Sequence, residues 1–314
     1  MSAIIFLQVA CYLSLLAFLV ALVARAVKYA TMPVHLRWEL YPVAHESARP
    51  YGGSYLEELD WWSKARRKSH VGELKFMAGE LLLFKQYYRL NKPYWYAVYP
   101  FHMGIFLLVG WLALLLVGAL TQLADIAVSG QSTNAWGSAV YYLTLAVGAT
   151  GFMISALGCA GLLVKRSTDQ DLRLYTAPTD YFNLSFILAT VLSGFCAWLF
   201  FDRTFAASRE FMKGLLTFGD VNNMNAATYA STLLICLALI YLPFTRMWHY
   251  LAKYFTYHRV RWDDEPNTGT GRAARSVDEA LQRPIGWAAP HIQSGKNWSE
   301  VTTRIEDVIE KRAK

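Results

Sequence analysis

Two histidines, His102 and His249, lie inside or at the edge of long apolar runs, where an ionisable ring is costly and usually has a task. The other five, His35, His45, His70, His258 and His291, fall in loops or the tail and read as surface or interface residues. Among these, His258 has the best claim on a second metal site, because it extends the run that carries His249. Around His249 the cations Arg246 and Lys253 recur at spacings of three and four, hence on one helical face. Two imidazoles approaching from antiparallel helices can hold a b-type haem by its iron, and cations at that edge suit its two propionates. Gly104 and Gly110, on the run of His102, would let a porphyrin or a neighbouring helix come close. Spacing leaves a plainer reading open. Either histidine could instead make an interhelical hydrogen bond, or share the headgroup level with Trp95 and Trp248.

The four cysteines, Cys11, Cys159, Cys196 and Cys236, stand singly inside apolar runs and match no CxxC spacing. Neither an iron–sulfur cluster nor a structural zinc is expected on this chain, and the thiols read as small buried hydrophobes. No phosphate-binding glycine loop and no HExxH pair occurs.

A membrane is what must position the two histidines. Of the 314 residues 55% are hydrophobic and only 17% charged, against about 25% charged in an ordinary soluble domain. Five runs are long enough to cross a bilayer, which takes roughly 20 apolar residues of helix. They cover about Ala3–Ala24, Tyr96–Leu120, Trp136–Val164, Phe182–Phe201 and Ala227–Tyr250. Their apolar residues are continuous, not alternating, so helices are expected and a barrel is not. The cations Arg25 and Lys28 follow the first run instead of preceding it, which argues against a cleaved leader.

With five spans, all of the 30 Lys and Arg except Arg203, Arg209 and Lys213 fall on one side. Cytoplasmic loops are enriched in such residues. The expected fold class is therefore all-α integral membrane: a five-transmembrane-helix bundle, N-terminus out and C-terminus in. The bundle would occupy residues 1–258, including a cytoplasmic loop over 29–95, and a cytoplasmic tail would follow over 259–314. Within the loop, Gly72 to Leu90 mixes Leu81–Leu83 and Phe84 with Lys75, Lys85 and Arg89, as an amphipathic helix in the interface would. The tail should end in a short charged helix over about Ser299–Lys311. On this topology His102 and His249 share one depth near the cytoplasmic face. The net charge of +7 belongs to that face too. Acidic residues interleave with the basic ones there, which suits anionic lipid and a soluble partner better than nucleic acid.

Two stretches carry a resemblance: Phe101-His102-Met103-Gly104-Ile105 and Leu242-Pro243-Phe244-Thr245-Arg246-Met247-Trp248-His249. They look like the second and fifth helices of the gamma subunit of respiratory nitrate reductase, a five-span cytochrome b. Pro33-Val34-His35-Leu36-Arg37-Trp38-Glu39-Leu40-Tyr41-Pro42-Val43 and Trp61-Trp62 resemble a subgroup found in sulfate reducers and similar anaerobes. Those cytochromes pair with an iron–sulfur subunit like the catalytic subunit of heterodisulfide reductase.

The resemblance implies a haem held by His102 and His249 as axial ligands, with Arg246 and Lys253 near its propionates. Family members carry a second, outer haem. At the matching positions this chain has Trp111 and Ser231, neither a usual ligand, so one haem b is expected. The implied role is an electron-transfer subunit of a quinol-linked oxidoreductase complex, not an enzyme by itself, with no catalytic residue of its own. It would exchange electrons between the (mena)quinone pool and a cytoplasmic iron–sulfur subunit, heterodisulfide-reductase-like or nitrate-reductase-beta-like, in a bacterial or archaeal inner membrane. The competing class is a haem-free membrane anchor or assembly subunit. A transporter fits less well: it would more naturally show broken helices or mid-membrane charge, and these spans are almost free of charge.

Overall fold

Runs of apolar residues without a breaker become helices wherever lipid offers the backbone no hydrogen-bond partner. The computed structural model describes residues 3–31, 70–221, 224–257, 269–289 and 292–301. Its elements are α1 (Ala3–Thr31), α2 (His70–Leu82), α3 (Lys85–Leu90), α4 (Lys92–Leu123), α5 (Ala135–Thr168), α6 (Gln170–Leu174), α7 (Pro178–Phe200), α8 (Ala206–Thr217), α9 (Ala226–Tyr241), α10 (His249–Tyr257) and α11 (Gly271–Leu281). Helices α1, α4, α5, α7 and the segment Ala226–Phe244 are long and apolar enough to span a membrane. The five expected spans are present, and no β-strand occurs among the described residues. The sequence motifs at Pro33–Val43 and Trp61-Trp62, together with His35, His45, His258 and His291, lie outside the described residues.

The chain divides into two compact units, one of residues up to Leu22 with Met77–Trp248, the other of Val23–Phe76 with His249–Lys314. In the first, asparagines cap the spans: Asn91 Oδ1 accepts from Tyr94 N (3.1 Å), Asn134 Oδ1 from Trp136 N (2.9 Å) and Asn225 Oδ1 from Thr228 N (2.8 Å). Helices α4 and α5 pack through small residues. A Cβ on Gly104 would collide with the Ser155 backbone, and one on Gly158 with the Phe101 backbone. Gly104 thus serves a neighbouring helix, which settles the choice the sequence left between helix and porphyrin. At one end of the bundle Arg166 donates to Tyr94 Oη (3.4 Å) and Thr176 Oγ1 (3.2 Å), while Tyr181 Oη donates to Arg166 O (2.7 Å). Near that end Tyr241 Oη donates to Asn183 Oδ1 (2.7 Å), joining α9 to α7. Leu13, Leu16 and Val20 of α1 are exposed, as a lipid-facing helix requires.

Two local expectations need correction. The single amphipathic helix over Gly72–Leu90 is two helices, α2 and α3, broken at Phe84, whose φ of 50° is left-handed. The turn is held by Trp95 Nε1 donating to Leu83 O (3.0 Å) and by the Phe84 ring, centred 4.8 Å from that of His102. The fifth span does not run unbroken to Tyr250. It leaves α-geometry after Tyr241, passes through 3-10 turns at Leu242–Phe244 and Arg246–Trp248, and resumes at His249. Pro243 lacks the N–H that an α-helix needs. Thr245, with extended backbone, offers an alternative set of bonds: its Oγ1 donates to Leu242 O (2.9 Å) and accepts from Met247 N (3.1 Å).

Between the fourth and fifth spans an unforeseen helix, α8, fills the connection. Asp202 caps it, accepting from Ala207 N (3.2 Å), Ser208 N (3.0 Å) and Ser208 Oγ (2.9 Å). Its Arg209 is 2% exposed and donates to Val128 O (3.4 Å). Burial holds that guanidinium below its ordinary pKa, with Asp202 pulling the other way.

In the second unit, Tyr29 and Phe255 rings lie 6.1 Å apart. The tail is more than a charged arm. It forms α11 and a small core of Ile285, Ile292 and Val301, beside which the Trp287 and Trp298 rings meet edge to face at 6.3 Å. Most of the helix expected over Ser299–Lys311 lies outside the described residues.

Candidate functional site

His102 sits in α4 on the turn after Val98, and its Nδ1 lies 2.8 Å from Val98 O. A carbonyl can only accept, so Nδ1 carries the proton, and in the neutral ring Nε2 is then the nitrogen with the lone pair. A metal-binding imidazole needs this arrangement: one nitrogen pinned by an acceptor, the other presenting its lone pair. The half-buried ring is walled by Phe84 at 4.8 Å and Phe101 at 5.1 Å, the latter edge to face. The carbonyl partner is four residues back on the same helix, a relation readable from helical geometry alone.

His249 opens α10 and belongs to the second unit, as does Lys253; Arg246 belongs to the first. The 3-10 turn at Arg246–Trp248 precedes the α-helix that starts at His249. Arg246 is therefore not on one continuous helical face with His249 and Lys253, as spacing had suggested. Its side chain is 77% exposed and lies 3.7 Å from Asp180 Oδ2. Asp180 also accepts from Ala177 N (3.0 Å), capping α7. Trp248 is 3% exposed, with its ring edge to face on Phe18 at 5.7 Å, so it is a packing residue and not a headgroup anchor.

Residues 86–263, more than half of the 314, match the family described as nitrate reductase gamma subunit. The chain belongs to that family. No curated protein and no solved structure matches it. The nitrate reductase gamma family comprises haem-containing membrane cytochrome b subunits of respiratory reductases, and its members usually assemble with the other subunits of a nitrate reductase complex. With five apolar helices, this member is a multi-pass membrane protein.

Two positions test how this member treats haem. At His102 the donor chemistry fits an axial ligand, for the reason given above. Farther along α4, Trp111 offers no such lone pair, since its ring nitrogen carries a proton and its electrons belong to the indole π-system. Trp111 and Ser231 both line a cavity of about 240 Å3 within the first unit, together with Cys11, Phe152, Phe205 and Thr228. Among the described residues no histidine lines it. Trp111 and Ser231, at the two positions where the resemblance led one to expect outer ligands, therefore come together around one cavity.

Sequence reasoning missed the pairing of thiols at this cavity. Cys11 Sγ and Cys236 Sγ are 3.4 Å apart, bringing α1 onto α9, whereas Cys196 is exposed and Cys159 Sγ donates to Leu184 O (3.2 Å). Positions separated by most of the chain carry no spacing signal, so only packing reveals such a pair. Thr228 was missed for the same reason.

Proposed function

We propose that the chain is the haem b subunit of a respiratory complex, exchanging electrons between the quinone pool and a cytoplasmic iron–sulfur partner. His102 and His249 are its axial ligands, and one haem is bound. The observation that carries this reading is the Val98 carbonyl on His102 Nδ1, which pins the imidazole with Nε2 as donor. Held between two imidazoles, the haem would supply reversible one-electron transfer at a potential set by its ligands and nearby charge. Val98 O orients His102, and Phe84 and Phe101 restrict its ring. Arg246 and Lys253 provide cations for the propionates, Arg246 exchanging its exposed pairing with Asp180 for a carboxylate of the cofactor.

The charge bias places the N-terminus outside and the C-terminus inside, in the cytoplasmic membrane of a bacterium or archaeon. The partner is heterodisulfide-reductase-like, on the motifs at Pro33–Val43 and Trp61-Trp62, or nitrate-reductase-beta-like. The α2–α3 region and the tail are its docking surface.

A reduced-minus-oxidised spectrum of the purified chain tests the proposal. A b-type α-band is expected in the wild type and should disappear in His102→Ala and in His249→Ala. Full haem content in either variant removes that residue from the ligand set. A wild type without the band is a haem-free anchor.

A further inference from the structure

From Leu81 to Lys92 every residue is exposed except Phe84, which is half-buried. Its ring packs against the core that holds Ala97, Phe101 and Leu184, and its centre lies 4.8 Å from that of His102, with 45° between the planes. This placement is costly. Phe84 holds φ 50° and ψ 47°, a left-handed conformation in which a Cβ crowds the following carbonyl and which glycine adopts freely. A glycine would make the same turn between α2 and α3 with less strain, so the turn by itself does not call for a phenyl ring. Phe205 and Phe218 are left-handed too, and each sets its ring on an aromatic partner, Trp111 at 5.1 Å and Tyr12 at 5.4 Å. Of the three partners only His102 carries a nitrogen able to hold a metal. The turn is braced from α4: Trp95 Nε1 donates to Leu83 O (3.0 Å), and the Trp95 ring is itself stacked on Tyr99 at 4.5 Å.

The hydrogen bond from His102 Nδ1 to Val98 O fixes one atom of the imidazole and leaves its plane free to rock about that atom. A second contact, from outside the helix, removes that freedom. We propose that Phe84 is a positioning residue for His102: its left-handed backbone turns the phenyl ring onto the imidazole, holds the plane of that ring and keeps water from it. The role rests on the reading that His102 is a haem ligand. It makes the turn between α2 and α3 part of the haem site, because the half-buried ring of an otherwise exposed stretch is what touches the ligand. A ferric haem carries one more positive charge than a ferrous one, and water stabilises the more charged form. A site sealed by Phe84 therefore has a higher reduction potential than the same site opened to solvent.

The test compares the haem-loaded full chain, in detergent, with three variants at Phe84. Haem content, reduction midpoint and the rate at which added cyanide binds the ferric haem are measured on each. Cyanide must displace an axial imidazole, so its rate reports how firmly that ring is held. Phe84→Gly relieves the backbone and removes the ring. It should keep its haem, lower the midpoint and speed cyanide binding about two- to tenfold, the worth of one ring–ring contact. Phe84→Leu keeps apolar bulk without a flat face and should also bind cyanide faster than wild type. Phe84→Tyr restores the ring and should match wild type in midpoint and rate. Were Phe84 needed only for the turn, Phe84→Gly would equal wild type or improve on it. An unchanged midpoint and cyanide rate in Phe84→Gly therefore overturn the proposal and leave His102 a ligand. If Phe84→Gly loses its haem, Phe84→Leu decides in its place, and a wild-type cyanide rate there overturns the role of the ring. A wild type that takes up no haem removes the ligand reading itself, and the role of Phe84 with it.

Discussion

His102 and Trp111 stand on one helix at the two places where the resemblance expects haem ligands, and their surroundings differ in kind. His102 has its second nitrogen bonded to the carbonyl one turn back, lies against two phenyl rings, and is followed by Gly104 pressed against Ser155. Trp111 is more deeply buried, leaves its nitrogen unbonded, and faces open space shared with Ser231 and Thr228. A position that grips a metal needs its ring fixed before the metal arrives, and an α-helix supplies the fixing carbonyl from its own backbone. An indole, which offers a metal no lone pair, carries no such constraint. What stands there is a wall whose Trp111 Nε1 and Thr228 Oγ1 are buried without a partner.

The contrast breaks most readily at haem stoichiometry. Haem per chain, measured as the pyridine haemochrome, should be one in wild type, near zero in His102→Ala and still one in Trp111→Ala. Two haems in wild type, or loss of haem from Trp111→Ala, would erase the distinction between the two levels.

A second test compares two glycines on the same helix. Gly104→Ala places a methyl group into the Ser155 backbone. It should cost about 1–3 kcal/mol, as overpacking does, seen as a lower thermal midpoint in detergent. Gly110→Ala meets only Val147 Cγ1 at 3.7 Å. Its stability should be unchanged or raised by up to ~1 kcal/mol through helix propensity. Equal penalties at both positions would mean that the tight α4–α5 contact is not centred beside His102.

The smallest effect is expected at the surface. Arg246→Gln removes an exposed ion pair with Asp180 worth ~0–1 kcal/mol. The midpoint should hardly move, because Asp180 keeps its bond from Ala177 N. If haem is present, the same variant should shift its reduction midpoint by removing a cation near the propionates. An unchanged potential would strike Arg246 from the cofactor's neighbours.

The parts of this molecule legible in its sequence are those set by local, additive quantities. Span positions follow from summed hydropathy over a bilayer's thickness, and His102 stood out because a polar ring in such a run is rare. The break after Tyr241 was less legible although Pro243 was in view. A proline tolerates a kinked continuation as well as a stop, and the hydrogen bonds of Thr245 decide between them. Helix α8 escaped because its apolar residues are too few for a span, and its capping by Asp202 depends on a turn that only the folded connection makes. Phe84 escaped likewise: its left-handed backbone is held by Trp95 and by packing on His102.

From its sequence alone this chain had to be a bundle of five lipid-facing helices with a histidine at one level and none at the other, because hydrophobic transfer and ligand chemistry act residue by residue. The acceptor that pins His102, the neighbour that Gly104 admits, the meeting of Cys11 with Cys236 and the unfilled space beside Trp111 were decided only by the tertiary structure. Each depends on how closely particular backbones approach across the bundle, and that distance is set by all the contacts between the helices together.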